Sequence, residues 1–379
     1  MSVSESVSES ISDDPADRWG PHARSLAGHT LVAMLDAERL PHALLIAGPV
    51  GVGKRDLAIR VAQALLCETA TNQSAGPCRE CRNCRRLHDP AQPTLEPQHS
   101  DVEVIAPGAI CVESDHDHRN SRTIGICVIR RIEHAATLAP FEADQRIVII
   151  NPADALTSDA ADAFLKTLEE PPDRVHFILL TAQEAKLSET IRSRCRTLTL
   201  SPLPAAQLDD WLEQWAADEG VELPIEAERR GELARLARGR PGWLQTNLRD
   251  GDPVTMRSAQ IDDAVRIAGA SRADRLAWSE QLVGRGASPQ TVANLELILD
   301  AWTDWWRDLW LAQTNQTEAL IHISQRDRVG EIAALYDQQE LSQFLEQIQR
   351  TRALIQTGVN ARLALDVLLL NIPVPRKTT

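Results

Sequence analysis

One stretch limits what this chain can fold into more than any other: "HALLIAGPVGVGKRDLAIRVAQALL", His42 to Leu66. An apolar run gives way to a glycine loop and then to a helical pattern. Gly48, Gly53 and Lys54 have the G-x-x-x-x-G-K spacing of a phosphate-binding P-loop. That motif requires a strand-to-helix turn, because loop and helix amides must converge on one anion. Two further runs, "RIVIIN" (146–151) and "HFILLTA" (176–182), are also followed by helical patterns. Strands alternating with helices predict a parallel α/β sheet.

The position after Lys54 departs from the motif. A catalytic P-loop has Ser or Thr there, whose hydroxyl holds Mg²⁺ on the nucleotide; here it is Arg55. Its guanidinium is expected to repel Mg²⁺ and crowd the metal's shell, leaving the loop as architecture with weak or no nucleotide binding. Hydrolysis also needs a carboxylate at the end of a second strand. "RIVII" is followed instead by Asn151 and Pro152, and Asp154, three residues on, is expected to point elsewhere.

The net charge of −14 argues against a chain that clamps a nucleic-acid backbone by itself. No apolar run reaches the ~20 residues of a membrane span, and the Ser- and Glu-rich residues 1–17 lack the marks of a secretory signal. A disordered tail is expected there, and a cytoplasmic location for the whole. The segment "TSDAADAFLKTLEEPP" predicts a helix capped by Thr157 or Ser158. Ala161, Phe164, Leu165 and Leu168 would form its buried face, and Pro171-Pro172 its stop.

"SPLPAAQ", from Ser201, reads as a linker. Eight of the nine tryptophans follow residue 210, and the period there is helical almost throughout. Leu208, Trp211, Leu212 and Trp215 form one stripe, and "ARGRPG", ending at Gly242, closes a small helical segment. A long helix begins at Ser288-Pro289. Its stripe of Leu295, Ile298, Leu299, Trp302, Trp306 and Leu309 suits core or subunit packing.

Seven cysteines without a secretion signal point to a reducing compartment, where clustering means metal before disulfide. Cys67, Cys78, Cys81 and Cys84 have the spacing C-x₁₀-C-x₂-C-x₂-C. Four thiolates on short knuckles suit a closed, structural tetrahedral Zn²⁺. Cys111, Cys127 and Cys195 read as isolated ordinary thiols. "ESDHDHRN" (113–120), within a polar 106–124 segment of unassigned role, reads as a solvated loop rather than a second metal site.

Four stretches together resemble the bacterial clamp-loader subunits of the AAA+ class: "RLPHALLIAGPVGVGK", the four cysteines, "AFLKTLEEPP" and "IRSRCR", the last holding Ser193, Arg194 and Cys195. They span about residues 40 to 200 in the family's order. The resemblance implies an AAA+ P-loop domain with a zinc module (18–202, cysteines 67–84), a helical lid (203–250) and an all-α collar (251–379). The family contains an ATPase motor, gamma/tau, and a non-motor subunit with a degraded ATP site. In the motor the second strand ends in Asp-Glu, absent here. In "ARGRPGW" the motor's sensor arginine falls on Gly242, with Arg240 nearby but out of register. Thr181 matches the polar sensor after the third strand.

The resemblance therefore implies a non-motor subunit that helps load a sliding clamp onto primed DNA beside gamma/tau and delta. Arg194 would act as an arginine finger in a neighbour's ATP site, with Ser193 and Cys195 supporting the motif. Two alternatives stand beside it. One is an active gamma/tau-like ATPase, which needs the missing Ser/Thr and Asp-Glu. The other is a zinc-dependent DNA-binding module, for which "CRECRNCRR" supplies Arg79, Arg82, Arg85 and Arg86.

Overall fold

The computed structural model describes residues 18–37, 39–69, 75–88, 96–111, 121–223, 227–284, 288–357 and 359–376. Residues 1–17, expected as a tail, and "ESDHDHRN" lie outside them. The chain forms two compact units. The first comprises residues up to 222 together with 237–246; the second comprises 223–236 and 247 onward. The stretch 203–250 is thus shared between the two.

The first unit is built on five strands: β1 (Ala43–Ala47), β2 (Val102–Ile105), β3 (Arg146–Ile150), β4 (Val175–Thr181) and β5 (Arg196–Thr199). They are all parallel, in the order β2-β3-β4-β1-β5. The parallel sheet expected from the three apolar runs is present. β1 lies between β4 and β5, and all five of its residues are buried. A strand covered on both faces needs a continuous apolar run, and "ALLIA" provides one.

Alternate residues serve opposite faces. Leu44 and Ile46 join Leu31 of helix α1 (Leu26–Asp36) and Leu57 and Val61 of α2 (Lys54–Leu66). A short helix, α3 (Arg82–Leu87), follows the cysteine knuckles. Ala43 and Leu45 face the other side. There they meet Ile129 and Ile132 of α4 (Ile126–Ala136) and Phe164 and Leu168 of α5 (Ser158–Glu169). Phe164 packs edge-on against Phe177 of β4, ring centroids 5.1 Å apart. Thr157 caps α5 by accepting the Ala160 amide at 3.3 Å, as expected from its sequence. A six-residue helix, α6 (Glu189–Arg194), leads into β5.

Two further helices close this unit, α7 (Ala205–Glu219) and the first part of α9 (Pro241–Asp250). The stripe on α7 is buried as expected, with Trp211 and Trp215 stacked 5.8 Å apart. "ARGRPG" does not end the helical segment. Pro241 opens α9 instead, because proline fits a helix's first turn, where no amide bond is lost.

The second unit is all-helical: α8 (Ala227–Ala237, all but its last residue), the end of α9, α10 (Pro253–Gly269), α11 (Arg272–Val283), α12 (Pro289–Gln313), α13 (Arg326–Ala333), α14 (Gln338–Gln356) and α15 (Ala361–Leu370). Ser288 caps α12, and Trp302, Trp305 and Trp306 are almost wholly buried among Leu299, Leu309, Phe344 and Leu365. The tryptophan stripe is therefore this unit's own core, and subunit packing is not its use. Buried Arg275 donates to the carbonyls of Ile267, Ala268 and Leu369, the closing turns of α10 and α15. A cation there offsets the negative helix ends. Asp308 accepts the Ile321 and His322 amides and the His322 ring, pinning a buried turn.

The Phe164 ring lies wholly inside the α5–sheet interface. Phe164→Ala should lower unfolding stability by about 3–5 kcal/mol, read by chemical denaturation, because a rigid sheet cannot collapse into the space left.

Candidate functional site

The P-loop takes its position from β1. Gly48 donates its amide to Thr181 O at 3.1 Å, so the loop starts beside the end of β4. Only glycine fits there: a Cβ on Gly48 would lie 2.4 Å from Leu200 O. Gly53, at φ 100°, turns the chain into α2 as its N-cap. Gly48, Gly53 and Lys54 thus form a strand–loop–helix turn of P-loop type. Lys54 Nζ donates to Gly48 O (2.6 Å) and Pro49 O (2.8 Å), bracing the loop. Burial lowers the Lys54 ammonium below its ordinary value, and Asp154 partly opposes that shift.

Asp154 corrects the sequence expectation. It sits on the turn after β3, and its carboxylate accepts the Thr181 hydroxyl at 2.6 Å. It is therefore turned toward the loop. The polar residue expected at Thr181 and a carboxylate expected elsewhere form one pair. Asn151 extends the sheet through its amide to Ile105 O and brings no charge. Arg55 pairs with Glu96 instead of standing alone at the loop.

The crest of the loop is covered by its own chain. His22 is buried, its Nε2 lies 2.5 Å from Val52 O, and its ring lies 3.5 Å from where a Gly53 Cβ would stand. Burial lowers the His22 imidazole below its ordinary value, against the opposing effects of Val52 and Asp56. The Trp243 amide donates to Gly51 O at 3.3 Å, and a Cβ on Gly242 would lie 3.0 Å from that same oxygen. A side chain at 242 would ask the loop to give by a few tenths of an ångström. Arg240, the out-of-register arginine, lies over the Trp243 ring and donates to Ala237 O. His22 carried no sequence signal, because its partner is thirty residues away.

The four cysteines converge. The Sγ atoms of Cys67, Cys78, Cys81 and Cys84 all lie within 4.8 Å of one another. A tetrathiolate site with ~2.3 Å bonds needs sulfurs ~3.8 Å apart; Cys78 and Cys84 are 3.8 Å apart. The Cys81 amide donates to Cys78 Sγ at 3.2 Å, which fixes the knuckle. Burial acts to raise the Cys78 thiol, but hydrogen bonds from Thr69 and nearby amides outweigh it and bring it down to about 6. Burial and then Cys67 push Cys84 far above the thiol range. Packed thiolates repel one another, and a dication in their midst relieves that repulsion. The set could hold a metal and is compatible with zinc.

Two arginines of the basic run beside the cysteines are internally paired. Arg82 and Arg86 both bond Glu142, at 2.8 and 2.6 Å, and the Glu142 carboxyl is held down at about 2, chiefly by Arg86. That pairing weakens the DNA-binding alternative. Cys111 and Cys127 are not isolated: their thiols meet. Burial first, and then Cys111, raises the Cys127 thiol.

Arg194 is the last residue of α6. Its guanidinium donates to Thr190 O (3.1 Å) and Ser193 Oγ (3.4 Å), and it pairs with Glu169 at the end of α5. Ser193 in turn donates to Thr190 O at 3.0 Å. Cys195 packs against the core, and burial pushes its thiol up to about 12.

Among the described residues, no helix is long and apolar enough to cross a membrane. Residues 25–204 match the family described as "DNA polymerase III, delta subunit". A relative from Pseudomonas aeruginosa, DNA polymerase III subunit delta', is 28% identical over 86% of this chain and 90% of its own length. The same-named protein of Bacillus subtilis is 30% identical over 47% of each chain. DNA polymerase III subunit tau of Escherichia coli is 31% identical over 62% of this chain and 33% of its own length. The chain thus spans about half of one of these relatives and a third of another. In sequence the chain is similar, over most of its length, to bacterial DNA polymerase III delta-prime subunits.

Proposed function

We propose that this chain is the non-motor delta-prime subunit of a cytoplasmic clamp loader. It would assist ATP-dependent loading of the sliding clamp onto primed DNA in DNA replication, beside gamma/tau and delta subunits. In this reading residues 18–202 form the AAA+ domain, 203–250 the lid and 251–379 the collar. The observation that carries it is the close packing of Gly51 and Gly53 against His22, Pro241, Gly242 and Trp243. A loop engaged with its own chain at Gly51 and Gly53, followed by Arg55 in place of a hydroxyl, suits architecture better than turnover.

Arg194 is the residue through which the subunit would act. Arginine offers a fixed, always-charged fork, and a finger supplied in trans stabilises phosphoryl transfer in a neighbour's site. Support comes from its place at a helix end, about a third exposed, beside Cys195, which packs partly buried against the core. Cys67, Cys78, Cys81 and Cys84 would hold one structural zinc. A second reading, an active gamma/tau-like ATPase, draws on the Asp154–Thr181 pair near Lys54. That carboxylate is held by Thr181 and has no loop hydroxyl with which to share a metal.

Elemental analysis of the purified chain should return about one zinc per molecule, and Cys81→Ser should lose it; a metal-free folded wild type would refute the assignment. The isolated chain should turn over no MgATP above a Lys54→Ala control, whereas turnover abolished by that mutation would establish the motor reading. In the reconstituted loader, Arg194→Ala should reduce clamp- and DNA-stimulated ATPase at least several-fold while assembly persists. Arg194→Lys should rescue poorly, and Arg192→Ala should behave as wild type.

A further inference from the structure

The Arg194 guanidinium is held from two helices. Its Nη1 donates to Thr190 O and Ser193 Oγ within α6, and its Nη2 donates to Glu169 Oε1 of α5. Contacts at different nitrogens fix the plane of the fork, where one contact would leave it free to rotate. An arginine side chain otherwise has large rotamer freedom. Its neighbour in sequence, Cys195, packs into the core, so the backbone at this point is also fixed.

Glu169 stands where helix energetics disfavour it. It is the last residue of α5, followed by Glu170 and then Pro171-Pro172. A carboxylate at a helix C-terminus faces the negative end of the dipole, and a cation would suit the position better. The pair is also a poor stability device, since Glu169 is about half exposed and Arg194 a third; such pairs contribute little to folding. A residue that defies its local preference and adds little to stability calls for another explanation. What Glu169 does achieve is orientation: it links "LKTLEEPP" to "SRC", two stretches that sequence alone leaves unconnected.

We propose that Glu169 is the positioning residue of the Arg194 finger, holding the fork so that its outer face can meet a phosphate on a neighbouring subunit. The proposal rests on the finger reading of Arg194. Pre-orientation matters because small misplacements of a charge-stabilising group are costly in phosphoryl transfer.

The test uses the reconstituted loader with gamma/tau and delta, measuring steady-state ATPase against MgATP concentration with clamp and primed DNA present. Glu169→Ala should lower kcat about three- to ten-fold with KM unchanged. Glu169→Gln, which keeps an acceptor oxygen, should recover part of the loss. The double variant Glu169→Ala/Arg194→Ala should be no slower than Arg194→Ala alone, because a positioning residue has no effect once the group it positions is gone. A wild-type or raised kcat in Glu169→Ala, with Arg194→Ala impaired, would overturn the positioning role and leave the finger standing. Additive losses in the double variant would also overturn it, as would a parallel fall in thermal stability without rescue by Gln. A silent Arg194→Ala would remove the finger itself, and the proposal with it.

Discussion

The burial of β1 between β4 and β5 is the constraint on which the rest of the first unit depends. Five consecutive apolar residues can be covered on both faces only in the middle of a parallel sheet. That placement delivers Gly48 beside Thr181 and Leu200, since Ala47 is in register with Thr181 and Thr199. The loop, Lys54 and the start of α2 follow from this register. So does the approach of Asp154, which comes from β3, two strands away, and meets Thr181 across the end of β4. The crevice outside the carboxyl ends of such strands is where α/β sheets usually place ligands. Here much of that ground is occupied by His22, Pro241 and Trp243 of the same chain.

Charge pairing follows a consistent pattern away from the loop. Three positive groups that could be read from sequence as available for an external anion are engaged internally: Arg82 and Arg86 by Glu142, Arg55 by Glu96. Asp101 caps the turn holding Glu142 by accepting the amides of Phe141, Glu142 and Ala143. Those bonds, against the effect of burial, hold the Asp101 carboxyl below its usual range. The cysteine module is thereby tied to the sheet through a chain of charge-assisted bonds. Arg194 follows the same pattern, its guanidinium engaged by Glu169 of the neighbouring helix.

Much of this architecture was legible because it is local. Strand burial, the turn at Gly53, the caps at Thr157 and Ser288 and the cysteine knuckles are written in residues within a few positions of one another. The pairs that shape the sites were not legible. His22 meets Val52, Asp154 meets Thr181, Arg194 meets Glu169, and Cys111 meets Cys127, each across a separation that no period encodes. The tryptophan stripe of α12 was readable as apolar, yet periodicity cannot distinguish a domain's own core from a surface awaiting a partner. Packing against α14 and α15 made that decision. Asp154 was misplaced for a related reason: strand register fixes where a strand ends but not how the following turn aims its side chain.

The contact between Gly242 and Gly51 bears on how such a chain can change over time. A Cβ at 242 would stand 3.0 Å from the Gly51 carbonyl oxygen, so a side chain there asks the loop to give by a few tenths of an ångström. A serine at 55 would leave Glu96 without its partner and would leave His22 seated on Val52. The loop thereby couples His22, Gly242 and Trp243, so a change at any one of these positions is passed to the others through the Gly51–Gly53 backbone.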